Sequence, residues 1–233
     1  MLITNLYPKM VTVVLTKYKR LHLFEEQLKS IQNQSINVDE ILVCDNTVVN
    51  KGVWDRFNLA KKATNEFICI IDDDTIPGSR WIENCLNEFN KEPALYGTCG
   101  YIFHSSKKYK GNYRRIGWVN SNVNKVEVDY VVHNWFFKRD WLEYFWRIDS
   151  IPFNFGEDIN LSFQLQKEGI STYVPPHPDD VKEFWGSLKG KEYGDDKNSL
   201  WVNNLNNFRG NMFTFFDKKV QEGWKLLCNS TLI

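Results

Sequence analysis

No apolar run in these 233 residues approaches the roughly 20 that a membrane-spanning helix needs. The densest, Phe67-Ile68-Cys69-Ile70-Ile71, has the length of a strand. Net charge is lacking too: 29 Lys and Arg stand against 29 Asp and Glu. Phosphate neutralisation needs a basic surplus, so the balance argues against an electrostatic nucleic-acid binder. Cysteine is scarce and odd in number (Cys44, Cys69, Cys85, Cys99, Cys228), with no C-x-x-C pair. That argues against a disulfide framework or zinc knuckle and for buried free thiols. Residues 15–22 contain no glycine, and Walker and Gly-x-Gly-x-x-Gly signatures are missing, which weighs against P-loop and dinucleotide enzymes and against nucleotidyltransferases. The first residues show no charged-then-apolar leader. The expectation is a soluble, cytoplasmic chain, peripheral to a membrane or part of a larger protein at most. What is plentiful is aromatic: nine Trp, ten Tyr and sixteen Phe, more than a core alone asks for.

Val11-Thr12-Val13-Val14-Leu15 reads as a buried strand, and Leu21, Phe24, Leu28 and Ile31 follow at helical spacing. Ile41 to Cys44 is a second strand, a weaker helix covers about 53–63, and Phe67 to Ile71 is the third strand. Strand, helix, strand, helix, strand predicts a parallel sheet with crossover helices, whose ligands bind beyond the carboxyl ends of the strands. The polar clusters Thr16–Arg20, Asp45-Asn46 and Asp72-Asp73-Asp74 fall there. Another amphipathic helix starts near Ser79. Residues 94–103 and 128–138 read as strands joined by a basic connector (Lys107, Lys108, Lys110, Arg114, Arg115). The spacing predicts a helix over 157–167 ended by Gly169, a strand over 170–174, a charged loop or lid over 178–198, and helices near 199–207 and 212–227. We expect one α/β domain spanning 1–233, with an irregular C-terminal half.

Three carboxylates closing an apolar strand repel one another unless a cation holds them ionised. In extended chain Asp72 and Asp74 share a face and could hold one hard ion, Mg²⁺ or Mn²⁺; a turn that caps the next helix is the plainer alternative. Glu157 and Asp158 open the 157–167 helix, where negative charge suits the helix dipole. A carboxylate so held beside a cleft can equally act as a general base. Lys189 and Lys191 on the lid could meet a diphosphate or simply face solvent beside Asp195-Asp196. Among Trp135, Phe136, Trp141, Trp146 and Trp185, some could be sugar platforms while most are core.

The run Val11 to Arg20, then Leu28-Lys29-Ser30-Ile31 and Gln34-Ser35, resembles the opening of GT-A-fold glycosyltransferases of the family 2 type. Asp39 to Asn46 is similar to that family's second strand. Ala63 to Phe67 with Ile70 to Asp74 is similar to the approach to its Asp-x-Asp metal motif, and Gly156 to Gly169 resembles its catalytic helix. The order holds across about residues 10–177. The resemblance implies a Rossmann-like mixed sheet, mostly parallel and flanked by helices, with a nucleotide-binding half at about 10–100, an acceptor and catalytic half at about 101–200, and C-terminal helices at 201–233. It implies transfer of a sugar from a nucleoside-diphosphate sugar, most readily a UDP-sugar, to a glycan or other acceptor hydroxyl, with Mn²⁺ or Mg²⁺ as cofactor.

Carried onto this sequence, Thr16, Tyr18, Arg20 and Asp45 would hold the nucleoside, with Asp45 accepting from the base. Asp72 and Asp73 would lie at the nucleotide, Asp72 and Asp74 at the metal, and Asp158 would be the base, oriented by Glu157. His177 is a candidate third metal ligand, because many GT-A enzymes place a His after the catalytic helix. There are departures: Thr16-Lys17 in the first turn, Asn46-Thr47 after Asp45, and His133-Asn134-Trp135 where a Gly-Asn-like stretch is frequent. The Gln-x-x-Arg-Trp motif of processive synthases is absent. Asp72-Asp73-Asp74-Thr75 also resembles the exostosin-like transferases, which retain anomeric configuration; in that case Asp158 would not be a simple base. A non-catalytic carbohydrate- or nucleotide-binding protein on the same fold is the reading from another class.

Overall fold

The computed structural model describes residues 11–106, 109 and 111–229; Lys107, Lys108 and Lys110 of the basic connector lie outside them. In chain order the elements are β1 (Val11–Lys17), α1 (Leu21–Gln32), β2 (Glu40–Asp45), α2 (Asp55–Ala60), β3 (Phe67–Ile71), α3 (Trp81–Lys91), β4 (Leu95–Phe103) and β5 (Tyr113–Gly117). Then come β6 (Val126–Glu127), β7 (Tyr130–Lys138), α4 (Leu142–Phe145), α5 (Glu157–Lys167), β8 (Thr172–Val174), α6 (Gly190–Gly194), α7 (Leu200–Asn203) and α8 (Phe208–Gln221).

One mixed sheet runs β2-β1-β3-β7-β4-β8-β6, with β5 paired to β4 at the side. β1 is parallel to β2 and β3, and β8 is parallel to β4. β7 inserts antiparallel between β3 and β4, so the crossover pattern of the first three strands stops at β3. This mixed α/β sheet flanked by helices is the architecture expected of the GT-A class.

The side-chain alternation of a strand divides the core in two. Val13, Leu15, Cys69 and Ile71 pack with Ile31, Trp81, Leu86 and Phe89 of α1 and α3. Val14, Ile68 and Ile70 face the other way, toward Phe57, Leu161, Leu165 and Phe216 of α2, α5 and α8. β3 is buried along its whole length, and each large apolar side chain so buried contributes about 1.5–3 kcal/mol. All five cysteines are free thiols, four of them buried.

Three segments differ from the expectation. The basic connector contains β5, whose Tyr113–Gly117 pair antiparallel with β4; its two arginines conceal the strand, because both side chains stand exposed. The 178–198 stretch is partly ordered as a 3-10 turn at Lys182–Phe184 and as α6. The last long helix begins at Phe208 rather than 212, because left-handed Asn204, Asn206 and Asn207 break the chain just before it. Among the described residues no helix is long and apolar enough to cross a membrane.

Candidate functional site

A cleft of about 560 Å³ lies beyond the carboxyl ends of β1 and β3. Thr16 lines it from the end of β1, Tyr18 and Arg20 from the turn that follows, Asp72, Asp73 and Asp74 from the end of β3, and Glu157 and Asp158 from the start of α5. Thr16 is buried with no partner for its hydroxyl, and the Tyr18 hydroxyl accepts from Asn50 at 3.2 Å.

Asp45 is placed differently. It is exposed at the end of β2 and accepts from the backbone and hydroxyl of Thr47 at 2.9 and 2.6 Å. Those hydrogen bonds hold its carboxyl below the usual range. Its buried neighbour Asn46 lines the cleft instead.

The acidic run is held by two buried arginines. Arg20 donates to Asp73 at 2.7 Å and grips both oxygens of Asp196 on the lid at 2.7 and 3.2 Å. Arg56, from α2, lies between Asp72 and Glu157, 2.6 Å from the latter, and stacks over Trp135 at 4.7 Å. Six carboxylates (Asp72, Asp73, Asp74, Glu157, Asp158, Asp196) therefore share two arginines and one histidine. Burial would push Asp74 up, but His133, Arg20 and Thr75 keep it low. Burial and the Asp74 charge push Asp73 up against the pull of Arg20.

That histidine is His133. A register shift between β4 and β7 sets Gly97 opposite Trp135 but Cys99 opposite Val132. The extra residue in β7 is a bulge, which re-aims a side chain at a strand end. His133 sits there with φ of 77°, and its carbonyl accepts from the Asp72 backbone amide at 2.9 Å. Its Nδ1 lies 3.5 Å from Asp72 and 3.7 Å from Asp74, too long for good hydrogen bonds, and has no other partner. Burial opposes charging the ring, yet the two carboxylates raise it to about 9. One ligand atom from each of Asp72, Asp74 and His133 fits within 4.8 Å of the others. Two carboxylate oxygens and an orphan imidazole nitrogen suit a divalent cation such as Mn²⁺.

His177 is not there. Its two ring nitrogens face the carbonyls of Pro175 and Asn120 at 3.0 and 2.9 Å, and it does not line the cleft. The histidine brought to the acidic run is the one on β7.

Trp118 covers His133. The two rings stack with centroids 3.8 Å apart and planes 16° from parallel, and Trp118 is itself left-handed, φ 69°. Residues held in that region are strained and cluster at functional sites. Above the indole lies α6, where a Cβ on Gly194 would come within 2.7 Å of the ring; only glycine admits so close an approach. Lys189 and Lys191 do not line the cleft; Lys189 points to Tyr193 and Glu26 at 2.8 and 3.8 Å.

Gly156 opens α5 with φ of 85°, and a Cβ there would strike Phe215 at 2.8 Å. The turn it permits brings Glu157 and Asp158 into the cleft. Burial, and then the Glu157 charge, push Asp158 well above the carboxylate range, while the Ile159 amide donates to it at 2.7 Å. A carboxyl that lines a cleft, with its ionised form disfavoured in this way, is a candidate proton acceptor.

Residues 53–146 match the family model described as "Glycosyl transferase family 2". The chain resembles family 2 glycosyl transferases. The matched stretch carries Arg56, the acidic run and His133, while the β1 turn and α5 lie outside it. That match supports glycosyl transfer as the general activity, with a nucleotide-sugar donor and a glycan acceptor as the family's substrates. No curated protein matches the chain. Among solved structures, one described as "Crystal Structure of A197 from STIV" is similar at 17% identity and a TM-score of 0.45, over 71% of this chain and 81% of that one.

Arg56, His133 and Trp118 were not singled out as site residues by sequence reasoning, and Asn46 entered only as the second member of the polar pair that closes β2. For His133 the signal was the polar pair His133-Asn134, which interrupts an apolar strand.

The aromatic candidates divide. Trp135 lines the cleft floor, Phe136 and Trp185 are buried core, and Trp141 and Trp146 pack against the core. The aromatic wall of the cleft comes instead from Trp118, Trp201 and tyrosines of β4, β5 and β7.

Proposed function

We propose that the chain is a metal-dependent, inverting glycosyltransferase that uses a nucleoside-diphosphate sugar, most readily a UDP-sugar. What supports this is the convergence in one cleft of three groups distant in sequence: the turn after β1, the Asp72–Asp74 run with His133, and Asp158 at the start of α5.

The nucleoside would lie against Tyr18, with Thr16, Asn46 and Asn50 supplying polar contacts. Asp45 has no part in this reading, because it turns to solvent. Asp72, Asp74 and His133 would hold the divalent cation, His133 taking the place expected of His177. When bound, that ion stabilises the negative charge that builds on the departing diphosphate. Arg20 pairs with Asp73 and ties it to Asp196 of the 178–198 segment.

Asp158 would take the proton of the acceptor hydroxyl as its oxygen bonds to the sugar's anomeric carbon and the bond to the diphosphate oxygen breaks. Glu157, fixed by Arg56, would set the position of Asp158. Attack from the face opposite the leaving group inverts the anomeric centre.

A donor screen tests the reading: UDP-, GDP- and TDP-sugars with Mn²⁺ and mixed saccharide acceptors, following release of free nucleotide. Release from UDP-sugars is expected; release from no nucleotide sugar would contradict it.

A further inference from the structure

The basic connector has no part in the reading above. Between Pro93 and Val126 the sequence holds no Asp or Glu but carries Lys107, Lys108, Lys110, Arg114, Arg115 and Lys125. In a chain of zero net charge this is a marked local imbalance. The structure brings one end of it to the cleft. On β5, Tyr113 and Arg115 are two residues apart and so share a face, and both line the cleft, with Tyr101 as the cross-strand partner of Arg115. Arg115 is exposed and has no ion pair among the described residues. Trp201 of α7 lines the same end with 37% of its surface exposed, 6.4 Å from the Tyr109 ring. Asp158 lines the same cleft and its charge is felt at both ends, by the Tyr109 phenol here and by Asp72 at the other.

The cleft is thus polarised. One end gathers carboxylates, where a cation and a diphosphate fit. The other offers aromatic faces and an uncompensated guanidinium, a combination suited to a ring with an acid group. We propose that the arm beyond Asp158 is an acceptor subsite for an anionic saccharide, its ring against Tyr113 and Trp201 and its acid group on Arg115. This rests on the glycosyltransferase reading of the same cleft. The positive segment also steers such an acceptor to the arm and away from the carboxylates at the other end. Aromatic platforms inside a cleft favour a sugar ring over a lipid surface as the source of the charge.

The test uses the whole chain without nucleotide, titrated calorimetrically with glucose, glucuronate and glucose 6-phosphate at low and high salt. At low salt at least one acid is expected to bind about tenfold tighter than glucose, which tells carboxylate from phosphate. Arg115→Gln and high salt should each close that gap, while Tyr113→Ala and Trp201→Ala weaken all three sugars alike. Equal binding of glucose and the acids, a gap that survives Arg115→Gln, no saccharide binding at millimolar concentration, or binding only to vesicles of anionic lipid would overturn the proposal. UDP with Mn²⁺ is titrated into the same proteins. Arg115→Gln should bind it as the wild type does. Failure of UDP binding alongside an intact preference for acids would sink the donor reading and leave the subsite chemistry standing.

Discussion

The Trp118 indole lies flat on the His133 imidazole, 3.8 Å between centroids, and both residues hold left-handed backbone to make the contact. The stack fixes the ring whose Nδ1 faces Asp72 and Asp74. Outer partners of a metal-ligating histidine typically carry tenfold to hundredfold in affinity. Trp118→Ala should therefore weaken Mn²⁺ binding by about tenfold or more, and Trp118→Phe should restore most of it. Direct titration of Mn²⁺ into the nucleotide-free proteins is the measurement, and unchanged affinity in Trp118→Ala would refute the assignment.

Asp158→Asn should leave donor binding intact and remove transfer, because the amide cannot take the acceptor's proton. In the wild type the raised Asp158 carboxyl places the acidic limb of the rate profile above that of an ordinary carboxylate. Activity should rise as pH rises through that limb, since the ionised form is the active one. Wild-type transfer by Asp158→Asn would show the base to be elsewhere.

Arg56 is shared by Asp72 and Glu157, and among the described residues no other guanidinium pairs with either. Replacing it with Met leaves two largely buried carboxylates without that partner, a loss of about 3–5 kcal/mol when a buried pair is broken. Urea unfolding would report it as a lower midpoint with unchanged slope. A midpoint equal to the wild type's would mean that the pair contributes little.

Asp129 tests the fold away from the cleft. Buried between β4 and the C-terminal segment, it accepts from the Phe103 and Leu227 amides at 2.7 Å each. Burial pushes its carboxyl up to about 6 despite those amides. Unfolded, it titrates near 3.9, so between about pH 4 and 6 the native state binds the extra proton. Stability must then fall as pH rises through that window and level off above it. Subtracting the same profile for Asp129→Asn isolates this group; a difference that is flat from pH 4 to 7 would contradict the assignment.

Much of the fold was legible because local rules and tertiary packing agreed. The β1 and β3 runs are apolar and β-branched, and Gly156 and Gly169 bracket α5 at the predicted residues. The carboxylates of the site were legible for the same reason: they sit where strands and a helix begin or end. His133 was not, because its position depends on a bulge set by the pairing of β4 with β7, a long-range event with no local signature. The sequence pointed to His177 instead, but two backbone carbonyls face its ring nitrogens. Asp45 and Asn46 show the finer limit: a strand's last residue and the next point to opposite sides, and the turn with Thr47 decided which one faces the cleft.

In the proposed reading, one cleft joins a divalent cation to a nucleoside diphosphate through Asp72, Asp74 and His133. Calorimetric titration of UDP with and without Mn²⁺, in the wild type and in Asp74→Ala, tests it most directly. The prediction is that Mn²⁺ tightens UDP binding by about tenfold or more and that Asp74→Ala loses this effect. Equal UDP affinity with and without the metal would contradict it.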